Sequence, residues 1–126
     1  MTADVEAQFW RIAQADLEAA ERLAAEEPLV EQALFHCQQA GENALKCLIA
    51  RSGSPPPRSH DLLLLAALSD LPADAALDAD AALLTQYAVA PRYPLALRPY
   101  GEAELSPALA AARRMLDRVR AVRGES

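Results

Sequence analysis

His60 and Asp61 stand side by side in PRSHDLLLLAAL, residues 57–68, where polar chain gives way to an apolar run. An imidazole beside a carboxylate is raw material for acid–base chemistry. At the start of a helix it can also meet a phosphate, because unpaired amides and the helix dipole both favour anions there. The same residues serve equally well to begin a helix, with Ser59 as its cap and Asp61 in a first turn that welcomes negative charge. A lone His-Asp dipeptide matches no catalytic mechanism. Helix start is therefore the first reading and ligand contact the second.

Three further positions combine charge or a ring with a constrained setting. Lys46 follows Glu42 by four residues, the favourable orientation for a helical ion pair. With Gln38 and Gln39 these two form either a solvated stripe or the polar rim of a ligand cleft. Arg92 and Tyr93 lie between Pro91 and Pro94, which restrict the backbone so that a guanidinium and a ring are presented with little entropic loss. Arginine suits a phosphate and tyrosine suits a base; packing of this loop across the end of the molecule is the competing reading. An anionic-ligand site is expected from Lys46, Arg58, His60, Arg92 and Tyr93. No catalytic residue, metal ligand or cofactor is assigned.

Other chemistry is excluded by what is scarce. Two cysteines and two histidines, with no C-x-x-C spacing, assemble neither a zinc site nor a disulfide framework. Cys37 and Cys47 are ten positions apart in one helical segment, roughly 15 Å along its axis, and cannot pair with each other. The acidic amphipathic amino terminus is no signal or transit peptide, and no apolar run is long enough to span a bilayer, so a cytoplasmic protein is expected. The net charge of -6 argues against bulk nucleic-acid binding. Residues 91–126 nevertheless carry seven basic and four acidic side chains, enough for a local positive site.

These residues must be positioned by helices. The chain has 126 residues, 52% hydrophobic and 5% aromatic, rich in Ala and Leu, and that composition makes one all-α domain over residues 1–126. A first helix ends before Pro28, with Val5, Phe9, Ile12, Ala19 and Leu23 as its apolar stripe. A second follows, with Leu34, Cys37, Gly41, Ala44 and Leu48 as a seam of largely small residues, and the run SPPPRS stops it. A short third helix starts at Ser59. A fourth covers DAALLTQYAV, residues 80–89, with Leu77, Leu84 and Tyr87 or Ala88 inward. APRYPLALRPYG is an irregular ordered loop. In the last helix Ser106 caps, Pro107 opens, and Leu105, Leu109, Ala112, Leu116 and Val119 face inward. Arg113, Arg114, Arg118, Arg120 and Arg123 form its solvated side. The architecture predicted is an antiparallel bundle of four or five helices.

The segments DLEAAERLA, EQALFHCQQAGENALKCLIARSG, PPRSHDLLLL and YAVAPRYP, in that order, resemble the HEPN family of higher-eukaryote and prokaryote nucleotide-binding domains. The likeness runs from Asp16 to the last helix. It implies a helical bundle that forms a homodimer, a minimal nucleotidyltransferase as partner protein, and a role in a prokaryotic toxin–antitoxin-like module. Many members are ribonuclease toxins; others bind nucleotides or act as adaptors. The family's nuclease signature is an arginine followed, after four to six residues, by a histidine. Here the positions that would serve His60 hold Gly53, Ser54 and Pro55, and the nearest arginine before His36 is Arg22. No tyrosine stands two places after His60, so the variant adenylylated by the partner is absent too. The expected function is a dimeric nucleotide-binding or adaptor component. The alternative is a metal-independent ribonuclease toxin in which Arg58 or Arg92 assists His60 across a dimer.

Overall fold

The first amphipathic stretch folds as α1, Thr2–Leu23, in a computed structural model that describes residues 2–88 and 100–125. Asp4 in the first turn and Arg22 in the last complement the helix dipole. The buried face differs from the stripe read in the sequence. Trp10, Ala13 and Ala20 are buried, whereas Val5 and Ile12 are 36% and 48% exposed. The tryptophan decides this rotation. Its ring is the largest apolar surface on the helix, and it settles among Ala40, Ala44, Cys47, Leu116 and Val119, small or slender side chains that let it in.

Helix α2, Val30–Arg51, is the centre of the molecule, with 14 of its 22 residues buried. The expected seam of Leu34, Cys37, Gly41, Ala44 and Leu48 lies inside. Gly41 is needed for closeness: a Cβ there would lie 2.9 Å from Leu62 Cδ2 and 3.1 Å from Leu84 Cδ1, both in the core. Cys37 and Cys47 are buried free thiols. Burial pushes the Cys37 thiol up to about 12.

After α2, Gly53 at φ 94° turns the chain into the proline run. Helix α3, Leu62–Leu68, is capped by Asp61 rather than Ser59. The Ser59 hydroxyl instead accepts the Asp61 amide at 3.1 Å, which sets up the cap from one step outside. Helix α4, Ala75–Thr85, begins five residues earlier than the sequence reading had it, because Asp74 Oδ1 accepts the Leu77 amide at 2.6 Å. Leu77, Leu84 and Tyr87 are buried as expected. A 3₁₀ turn, Glu102–Glu104, leads into α5, Leu105–Val122. Ser106 and Pro107 therefore lie in its first turn rather than at its cap, a place where proline's missing amide removes no helical hydrogen bond.

Ion pairs and hydrogen bonds give the directions. Arg51 and Asn43 of α2 reach Glu6 and Asp16 of α1, while Arg123, just beyond α5, and Arg113 on it reach Glu6 and Glu21 of α1. Helix α1 is thus antiparallel to both α2 and α5. Asp74 and Asp80 on the α4 side meet Arg118 and Arg114, so α4 is antiparallel to α5 as well. The result is an up-down-up-down bundle, with α3 packed against α2 and α4. All regular elements among the described residues are helical.

The α5 arginines are not a simple solvated face. Arg113, Arg114 and Arg118 tie α5 to its neighbours, and Arg123 is only 16% exposed. Arg123 donates to Glu6 Oε2 at 2.5 Å and Glu125 Oε2 at 2.8 Å, and its guanidinium lies 5.2 Å from the Trp10 ring centroid. Arg123→Ala should therefore destabilise the fold by about 2 kcal/mol, the sum of charged hydrogen bonds and a cation–π contact partly shielded from solvent. Arg22→Ala, at an exposed helical pair, should change stability by less than about 0.5 kcal/mol. Urea unfolding of both variants checks the difference.

Candidate functional site

Glu42 sits one helical turn after Gln38 and one before Lys46, so all three side chains share one face of α2. That face is covered, and the Glu42 side chain is only 5% exposed. Its Oε2 accepts from Lys46 Nζ at 2.9 Å. Its Oε1 accepts from Gln38 Nε2 at 2.9 Å and meets His60 Nδ1 at 2.7 Å. Gln38 is itself oriented by Gln39, whose amide donates to Gln38 Oε1 at 2.6 Å, and Gln38 also donates to the His60 carbonyl at 3.4 Å.

Burial alone would raise the Glu42 carboxyl. The hydrogen bonds from Gln38, His60 and Lys46, with the ammonium charge, outweigh it and hold the group below the usual glutamate range. A charged carboxylate beside Nδ1 places the proton on that nitrogen in either charge state of the ring. Nε2 is left for other partners, and the His60 side chain is 63% exposed. The arrangement is an imidazole aimed by a buried carboxylate, with the ammonium of Lys46, whose side chain is 12% exposed, on the carboxylate's other oxygen. It can donate to or accept from a polar ligand, and it can move a proton at Nε2.

Lys46 and His60 are thus brought together, and the polar positions of α2 form a buried network rather than a solvated stripe. Arg58 is exposed on the same loop and makes no ion pair with any described residue. Arg92 and Tyr93 lie outside the described residues. The chain on either side of them is anchored: Tyr87 Oη donates to Glu104 Oε1 at 2.8 Å, and its ring meets Tyr100 edge-on at 5.1 Å.

The start of α3 offers no phosphate cradle. The Asp61 amide donates to Ser59 Oγ, that of Leu62 to Thr85 Oγ1, and those of Leu63 and Leu64 to Asp61 Oδ1. All four donors that a helix start leaves unpaired are taken. Asp61 is therefore a cap, and the carboxylate serving His60 is Glu42, eighteen residues earlier. The hint available in the sequence was a carboxylate within an apolar helix, flanked at four residues on both sides by polar partners. A second pairing was not foreseen: Asp16 of α1 accepts from Asn43 at 3.1 Å and meets His36 Nδ1 at 3.0 Å. Among the described residues no three His, Cys, Asp or Glu side chains form a group fit for a metal ion. No described helix is long and apolar enough to cross a membrane.

The lowered Glu42 group fixes a pH dependence. Folding favours its charged form, so its contribution is complete above the ordinary value of 4.5 and is lost as pH falls through the lower folded value. Glu42→Gln should flatten this acid limb and cost about 2 kcal/mol at neutral pH, where Lys46 loses its counter-charge. Denaturant unfolding from roughly pH 7 down to pH 3 checks both effects. An acid limb unchanged in the variant would assign it to other carboxylates.

Comparison with known proteins extends this picture. The chain resembles TT1696 from Thermus thermophilus in its crystal structure, with 27% identity, a TM-score of 0.81, and coverage of 92% of this chain and 96% of that one. It also shares its fold with ST0689, an archaeal HEPN homologue, at 24% identity and a TM-score of 0.77, covering 93% of this chain and 96% of that one. A comparison with curated protein sequences finds no match. The family model for the HEPN domain matches residues 7–122, nearly the whole bundle together with the Glu42, Lys46 and His60 cluster. The chain belongs to the HEPN domain family.

Proposed function

We propose that this HEPN-domain protein is a dimeric nucleotide-binding or adaptor component without ribonuclease activity. On this reading it works beside a nucleotidyltransferase partner in a toxin–antitoxin-like module of a prokaryotic cytoplasm. The observation that carries the binding role is the convergence of His60 and Lys46 on buried Glu42. It leaves one oriented imidazole nitrogen facing solvent, close in the chain to Arg58, a guanidinium with no ion pair among the described residues. These groups suit a phosphate through directed hydrogen bonds, since Glu42 and Lys46 offset each other in charge. The nuclease signature is missing in the chain itself, where Gly53, Ser54 and Pro55 occupy the positions an arginine would need.

Titration with a fluorescent ATP analogue at fixed salt tests the site. His60→Ala and Arg58→Ala should each weaken binding by about 1–3 kcal/mol, the scale of a charged hydrogen bond, whereas exposed Arg22→Ala should leave it unchanged. Arg92→Ala belongs in the same series, as does Tyr93→Ala. Equal losses in all the arginine variants, Arg22→Ala included, would mean that only diffuse charge matters. Sedimentation at concentrations on the order of tens of micromolar should give a dimer, since mass action favours it there; a strict monomer would count against the assembly.

The Glu42 contact favours a second reading. A carboxylate 2.7 Å from Nδ1 is the arrangement that orients a histidine for proton transfer, as a metal-independent ribonuclease would require. RNA cleavage by the purified protein, abolished by His60→Ala in a variant that still folds, would replace the binding role with this one.

A further inference from the structure

We infer that the outer face of α3 and its junction with α4 form a docking surface for a basic amphipathic helix of another protein. Helix α3 reads LLLLAAL, and its leucines point both ways. Leu62 and Leu65 are fully buried, whereas Leu63, Leu64 and Leu68 are 43%, 44% and 47% exposed. Leu64, Ala67 and Leu68 follow the spacing that gives a helix one apolar edge, and Leu71 follows just past the turn that ends it. Three large exposed apolar side chains on a seven-residue helix are more than scattered surface leucines.

Beside them lies a cleft of about 110 Å³ between α3 and α4, whose lining includes Leu63, Ala67, Leu71, Ala73, Leu77 and the carboxylate-bearing Asp78. That volume is too small for a drug-sized molecule, whose pockets run to roughly 300–1,000 Å³. It suits a single anchoring side chain of a docked helix.

Charge identifies the kind of partner. Between Arg58 and Arg92 the chain contains five aspartates and neither lysine nor arginine. Asp74 and Asp80 are neutralised by Arg118 and Arg114. Asp61, Asp70 and Asp78 are exposed around the apolar face and pair with no cation among the described residues. An apolar strip rimmed by unpaired carboxylates complements a helix whose leucines are flanked by Lys or Arg. A second copy fits poorly, because two-fold pairing would set these aspartates against their own equivalents. The arginines of α5 are already engaged by Glu21, Asp80, Asp74 and Asp117. Anionic lipid and nucleic acid would both be repelled.

The test is a selection from a displayed library of amphipathic helical peptides of varied charge. The bait is the full chain, and the counter-selection uses its Leu64→Ser/Leu68→Ser variant. Both substituted side chains are exposed, so the variant should keep the parent's melting temperature. Enriched peptides should carry Lys or Arg beside their apolar stripe and should bind the parent in fluorescence anisotropy. Their affinity should fall roughly tenfold or more with Leu64→Ser/Leu68→Ser and again with Asp70→Lys/Asp78→Lys, the scale of losing anchors and charge partners. No enrichment over the variant, or enrichment of neutral or acidic peptides, would overturn the inference. So would loss of a sedimentation dimer in Leu64→Ser/Leu68→Ser, which would assign the face to a second copy. Nucleotide binding through His60 does not enter either result.

Discussion

A carboxylate in the middle of a helix that is covered on almost every side has to find its partners inside the protein. Glu42 is in that position, and the arrangement around it follows. Gln38 and Lys46 reach it from the turns above and below on α2, which costs no change of backbone. Its Oε1, already taken once by Gln38, is met a second time by His60, which arrives from a loop. The proline run after Gly53 is thereby tied to α2 at the step that starts α3. One buried charge thus orients the site's imidazole and registers the third helix.

The central position of α2 depends in turn on small residues. Gly41 lets Leu62 and Leu84 approach within what would be a Cβ's contact distance, and Ala40 and Ala44 make room for Trp10. Close packing of this kind leaves little freedom for polar groups to be carelessly placed. Among the described residues no buried side-chain nitrogen or oxygen lacks a hydrogen-bond partner. Where α2 buries polar side chains, at Gln38, Glu42 and Asn43, each is hydrogen-bonded within the protein, and His60 carries the Glu42 network out to the surface.

The acidic and basic residues, unevenly distributed along the sequence, are matched in space. Acidic α1 lies against arginine-rich α5, and the aspartates of α4 meet the same helix from its other side. The local positive region suggested by the carboxyl-terminal composition is therefore largely spent within the molecule. Arg58, exposed in the loop that carries His60, remains without an ion pair among the described residues, and so do Asp61, Asp70 and Asp78 around the α3 and α4 junction. Charge left over after folding, rather than charge in the sequence, marks the surfaces with something still to bind.

Periodicity and helix breakers are enough for the helical bundle, the α2 seam and Leu105, Ala112, Leu116 and Val119 on the inner face of α5, because a 3.6-residue repeat is a local property of the chain. The HEPN resemblance was legible for a similar reason: its segments are read in order. Lys46 and His60 stand out in the sequence too, whereas Glu42, which joins them, reads there as part of a solvated stripe or a cleft rim. Which face of α2 is covered depends on every other helix, and nothing within four residues of Glu42 announces a loop eighteen positions later. The rotation of α1 had the same cause, since Val5 and Ile12 satisfy an apolar period as well as Trp10 does, and only the pocket offered by α2 and α5 selects between them. Asp61 looked like the partner of His60 because it is its neighbour. A side chain's nearest neighbour in sequence is set by the covalent chain, whereas its hydrogen-bond partner is set by which surfaces pack together, and that was decided by the tertiary structure alone.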